Sequence, residues 1–142
     1  MTVTTHPTLA GTLADLVHES PDSPVAMDIA GGEVITLTRA ELGRRVDQLR
    51  EELSRIGVRR GQCLAVYLPN WSDALVWQFA ASALGAHVIG VNTRYNVGEV
   101  MHILTSARPA VVAVPAEFHG LDVFGTLREA SSTADPVPAI AV

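Results

Sequence analysis

The residue types best suited to chemistry gather in one polar run, Asn92-Thr93-Arg94, followed by Tyr95 and Asn96. An arginine between small polar side chains suits an anion, because a guanidinium donates to two oxygens at once and loop amides can add to it. The competing reading, which we favour, is structural: Asn92 and Asn96 tie the loop to the next helix, and Arg94 pairs with a carboxylate. Elsewhere the reactive types stand alone. Ser72-Asp73 reads as ordinary capping at a helix start. Histidines 6, 18, 87, 102 and 119 lack metal-ligand spacing, so no metal site is expected. Cys63 has apolar neighbours and reads as a buried structural thiol. Trp71, Trp77 and Phe79 read as core or interface before ligand stack. All 10 cationic residues are arginines, which excludes a Schiff-base lysine and a lysine-bearing phosphate loop within these residues. No catalytic residue is assigned.

Glycine patterns narrow the options further. After Leu68 the chain offers Pro69-Asn70-Trp71-Ser72-Asp73, not the Gly-x-Gly-x-x-Gly turn of dinucleotide sites. Gly85 and Gly90 have phosphate-loop spacing, but they lie between a helix and a strand rather than before a helix. In doubly wound sheets ligands gather outside the carboxyl ends of strands. Here those ends are Pro69-Asn70, Asn92-Thr93-Arg94 and Pro115-Ala116-Glu117.

The elements that position these groups follow from periodicity. The centre is residues 61–92: a strand at 62–68, an apolar helix at 71–84 and a strand at 87–91, a βαβ unit expected to be parallel. Before it come a helix over 8–19 with Leu9, Leu13, Leu16 and Val17 on one face, and strands 24–29 and 33–37 joined by Gly31-Gly32, a hairpin. Thr38 and Glu41 have capping-box spacing. The helix they open carries Leu42, Val46, Leu49, Leu53 and Ile56 as a stripe. On its other face Glu41–Arg45 and Glu51–Arg55 stand four apart, and Gly57 supplies the left-handed exit. A helix at 97–107, a strand at 110–114 and a helix at 121–131 (Leu121, Phe124, Leu127, Arg128) complete an α/β design with a mostly parallel sheet flanked by helices, plus the hairpin.

With 142 residues, 48% of them hydrophobic, one packed α/β subdomain over 1–142 is expected, 1–8 being a lead-in. A net charge of −5 without a basic stripe points away from nucleic acid. The helix at 71–84, apolar on nearly every side, falls short of the about 20 residues a bilayer span needs, but it is a candidate homodimer surface. A lone cysteine and no basic, apolar leader make the cytoplasm the expected compartment. The apolar run 136–142 is unusual for a terminus, so the native polypeptide is expected to continue past Val142.

The chain over about residues 9 to 115, and most plainly from Leu37 to Leu104, resembles the N-terminal part of AMP-forming acyl-CoA synthetases, the acyl-adenylating superfamily. The match rests on an ordered series: Thr38, Glu41 and Leu42; Gly57, Val58 and Gly61; Pro69-Asn70; Gly85-Ala86; Asn92; Glu99; and Ile103-Leu104. Gln62, Thr93 and Val100 depart from the usual Asp, Pro and Leu/Ile. The resemblance implies that the parent uses ATP, Mg and CoA to turn a carboxylic acid into an acyl-adenylate and then a thioester. It also implies that the phosphate loop with its lysine, the aromatic-Thr-Glu motif, the ribose-binding Asp and the catalytic Lys lie outside these residues. This segment would then be scaffold that binds no cofactor itself, with the remainder of the synthetase as its partner.

Overall fold

The computed structural model describes residues 8–142. In chain order the elements are α1 (Leu9–Glu19), β1 (Pro24–Ala30), β2 (Glu33–Thr38), α2 (Arg39–Arg55), β3 (Cys63–Val66), α3 (Ser72–Ala83), β4 (His87–Gly90), α4 (Val97–Ala107), β5 (Val111–Ala113), α5 (Val123–Ser131) and β6 (Ala139–Ala141). Strands β3 to β6 form one parallel sheet in the order β4-β3-β5-β6. β1 and β2 form a separate antiparallel hairpin, turned by Gly31 and Gly32 at φ 60° and 84°. Two successive positive φ values need residues without a Cβ, which is why the pair is Gly-Gly.

Two cores lie on opposite faces of the sheet. Neighbouring strand residues point to opposite sides, so Leu64 and Val111 join α1, α2 and α3, whereas Ala65 and Val112 join α4 and α5. α2 delivers Leu42, Val46 and Leu53 to the first core, and α5 delivers Val123, Leu127 and Ala130 to the second. Each buried leucine removed from water contributes roughly 1.5–3 kcal/mol. The expected α/β design, parallel sheet and hairpin are all present.

Several details differ. The lead-in lies outside the described residues except Thr8, whose Oγ1 accepts the Gly11 N–H at 3.0 Å and caps α1. Leu9 is 47% exposed and Ile56 62% exposed, because each lies at a helix end beyond the reach of the core. Thr38 Oγ1 accepts the Glu41 N–H at 3.2 Å, but the Glu41 carboxylate turns to Arg45 at 2.9 Å, so only half the box forms. No ion pair joins Glu51 to Arg55 among the described residues. A full capping box occurs instead at Asn96 and Glu99. α5 begins after Asp122, which caps it, leaving Leu121 and Phe124 exposed. α3 is not buried all round: Val76, Ala80 and Ala81 face the core, while Asp73, Leu75 and Gln78 face out. It packs against α1 and α2 and against strands β1, β3 and β4, and the side turned away from them stays wet. Among the described residues no helix is long and apolar enough to cross a membrane.

Candidate functional site

The chain steps from β3 to β4 through α3 and from β5 to β6 through α5, in opposite directions across the sheet. α3 lies in the layer of α1 and α2, α5 in the layer of α4. The switch in direction therefore falls between β3 and β5, and the carboxyl edge there is where such sheets open a crevice. Two clefts lie along this edge. The first, of about 620 Å³, is lined by Pro69, Asn70, Trp71, Asn92, Thr93, Arg94 and Phe118 among others. The second, of about 450 Å³, runs toward β5 and β6 past Trp71, Trp77, Pro115 and Ala116, with Glu52 and Asp73 at its margin. Arg94 is the one charged residue lining the first cleft, and Glu52 and Asp73 are the charged residues lining the second.

Two of the three strand ends thus meet in the first cleft, 69–70 and 92–94. Pro115 and Ala116 line the second, and Glu117 lines neither. The loop after β4 is held by its own bonds. Val91 N–H reaches Val66 at 2.9 Å. Asn92 Oδ1 accepts the Arg94 N–H at 2.9 Å, and its carbonyl accepts the Tyr95 N–H at 3.0 Å. Asn96 N–H goes to Glu99 at 2.8 Å. The amides of residues 94 to 96 are therefore engaged within the loop, which leaves the Arg94 guanidinium as its charged donor. Asn96 ties the loop to α4 through Glu99, whereas Asn92 bonds only within the loop. Arg94 itself is exposed and makes no ion pair among the described residues.

Behind the loop Tyr67 is fully buried, its hydroxyl directed to the Tyr95 carbonyl across a long 3.5 Å. Burial pushes this phenol above its ordinary value, so it stays a neutral donor. Cys63 opens β3 at the opposite end of the strand. Burial raises its thiol pKa, partly offset by a backbone hydrogen bond from Ile89, and a thiol held protonated is a poor nucleophile.

Ser72 does not cap α3, as its sequence position suggests. Trp71 occupies the N-cap position without a side-chain cap bond. The cap comes from β1: Asp28 Oδ1 accepts the Ser72 N–H at 2.9 Å, and Oδ2 accepts the Ser72 hydroxyl at 2.5 Å. With that carboxylate in place and Asp73 in the first turn, the positive end of α3 is already answered. Trp71 in turn meets the Phe118 ring edge-on at 5.7 Å and 84°. Sequence reasoning missed Asp28 and Phe118 as residues of this edge, and it read Trp71 as core or interface. The one available signal was a carboxylate between Met27 and Ile29 in an apolar strand. Among the described residues no group of three or more His, Cys, Asp or Glu side chains is placed to hold a metal.

A family model described as AMP-binding enzyme matches residues 13–140. The chain belongs to the AMP-binding enzyme family. It is 35% identical over 107 residues to a methyl-dioxo-octahydro-indenyl-propanoyl:CoA ligase of Rhodococcus jostii (strain RHA1), covering 75% of this chain and 21% of that protein. Acetoacetyl-CoA synthetase from Streptomyces lividans superposes with a TM-score of 0.84 at 25% identity, over 94% of this chain and 21% of that one. The N-terminal domain of FACL13 from Mycobacterium tuberculosis shares the fold, with a TM-score of 0.78 at 22% identity, over 96% of this chain and 34% of that domain. This member of the AMP-binding family thus spans about a fifth of the length of that ligase and that synthetase.

Proposed function

We propose that this chain is the N-terminal scaffold portion of an AMP-forming acyl-CoA synthetase, one subdomain that works with the remainder of such an enzyme. The parent reaction would join a carboxylate to ATP, releasing pyrophosphate, and pass the acyl group from AMP to the CoA thiol. Within that reaction the segment supplies sheet, helices and a cleft wall, and no reacting group. Asn92, Thr93 and Arg94 would lend one guanidinium to an anionic part of a substrate. The observation that carries this reading is the family match over 13–140 set beside a carboxyl edge whose first cleft holds Arg94 as its one charge. Stabilising the charge that develops in phosphoryl or adenylyl transfer takes several convergent cations, usually with Mg²⁺. A single exposed arginine is not such a set.

The test is acid-dependent exchange of labelled pyrophosphate into ATP, run across a panel of short, medium and aromatic acids. The expected result is no exchange above an enzyme-free blank. Exchange by the chain alone would overturn the scaffold reading.

A second reading, a docking module without catalysis, is supported by apolar surface on the hairpin, where Met27, Ile29 and Val34 are 65%, 78% and 63% exposed. Exposed contiguous apolar surface marks an interface. A homodimer through residues 71–84 is a weaker form of this reading, since Leu75 is the one large apolar side chain of α3 counted as exposed.

A further inference from the structure

The N-cap of α3 breaks a local rule. That position favours Ser, Thr, Asp or Asn, whose side chain takes up an orphan amide, yet it holds Trp71, in an extended conformation of φ −97° and ψ 160°. The missing cap is supplied from 44 residues away by Asp28, through both carboxylate oxygens to the amide and hydroxyl of Ser72. Ser72 is 5% exposed, so the donor side of these bonds is removed from water, while Asp28 is half-buried. The backbone of Trp71 is pinned on both sides as well: its N–H donates to Pro69 at 2.7 Å and its carbonyl accepts from Ala74 at 3.0 Å. Trp71 is also the aromatic side chain common to both clefts, one bearing Arg94 and the other Glu52 and Asp73. A rule broken locally and repaired at a distance points to a demand other than helix stability.

We propose that Asp28 is a positioning residue for Trp71, and that together they fix the wall between a cationic and an acidic cleft at the carboxyl edge of the sheet. A substrate group entering beside Arg94 would then meet an indole of set orientation, backed by Phe118. The ligand side of this proposal rests on the scaffold reading above; the clamp itself does not. Moving the tryptophan into cap position leaves its ring facing the crevice, while the hairpin strand becomes the strap that holds it there.

Trp71 and Trp77 are the chain's 2 tryptophans, so each can be read alone. In a Trp77→Phe background, Asp28→Ala is expected to raise acrylamide quenching of Trp71 and shift its emission to the red. Asp28→Asn, which keeps one acceptor, should fall between. Ser72→Ala should move Trp71 in the same direction, and Asp28→Ala/Ser72→Ala should go no further than Asp28→Ala, since both sever one clamp. Losing a cap should also raise the unfolding constant about fivefold. In the reciprocal Trp71→Phe background, Trp77 should be unmoved by Asp28→Ala. The proposal is overturned if Trp71 quenching is unchanged by Asp28→Ala, or if Trp77 responds equally, which would mark general loosening. Because no ligand enters the measurement, the clamp can fail while the pyrophosphate-exchange result still stands, and the reverse.

Discussion

Ser131 is buried on α5, and its Oγ has no hydrogen-bond partner. A hydroxyl stripped of water without compensation costs stability, while a methyl in its place asks for nothing. Ser131→Ala is therefore expected to be neutral or to stabilise by up to about 1 kcal/mol, read as a rise in the urea midpoint at constant slope. A clear drop in midpoint would mean that the hydroxyl has a role in the core. Tyr67 makes a pH-dependent prediction. Its phenol is held above the ordinary value by burial, and the unfolded chain titrates near the usual value of about 10. Between those two values the unfolded state gives up its proton and the folded state does not. The stability from the buried neutral phenol is thus complete below the unfolded pKa and drains away as pH climbs through the folded one. Cys63, raised for the same reason, adds to the loss in the same direction from a lower starting pH. Tyr67→Phe should flatten the alkaline fall in thermal midpoint; an unchanged fall would show that other groups govern it.

Among the elements, the helix starts form a graded series. α4 has the complete reciprocal box, with Asn96 Oδ1 accepting the Glu99 N–H at 3.0 Å and Glu99 answering the Asn96 N–H. α2 has half of one, because Glu41 is drawn off by Arg45, which also lies 3.7 Å from Asp73 on α3. That three-membered link joins two helices, but its side chains are a third or more exposed, so it contributes no more than about 1 kcal/mol. Asn96→Ala should cost roughly 1 kcal/mol and speed hydrogen exchange in the first turn of α4. Thr38→Ala should cost about the same, since each variant removes one side-chain acceptor and the Glu99 carboxylate can still take the backbone N–H of residue 96. A clearly larger loss for Asn96→Ala would show that the two halves of the α4 box depend on each other. The loop that bears Arg94 is anchored by the same Asn96, so its mobility should rise with the α4 variant and not with the α2 variant.

For the whole molecule, what was legible in the sequence is what neighbours along the chain determine. Gly31-Gly32 demanded a hairpin, the stripe Leu42, Val46 and Leu53 demanded a buried helix face, and the apolar strands around 61–92 demanded a parallel unit. Groups brought together by folding were not legible: Asp28 is 44 residues from the helix it caps, and no local pattern relates them. Hydrophobicity was also misplaced by composition alone. α3 reads as the stickiest segment, yet its alanines Ala80 and Ala81 and its Val76 spend themselves on the core. The exposed apolar surface sits instead on the outer hairpin face, where Ile29 pairs with Val34 across the strands. A two-stranded hairpin is marginal without cover on one face, and uncharged exposed strands invite association. Any concentration-dependent rise in molar mass by light scattering should therefore vanish with Ile29→Lys/Val34→Lys and persist with Leu75→Lys. The reverse pattern would return the sticky surface to α3. A wild-type chain that stays monomeric at high concentration would count against the self-associating form of the docking-module reading, because a patch of that exposure would then not attract its own copies.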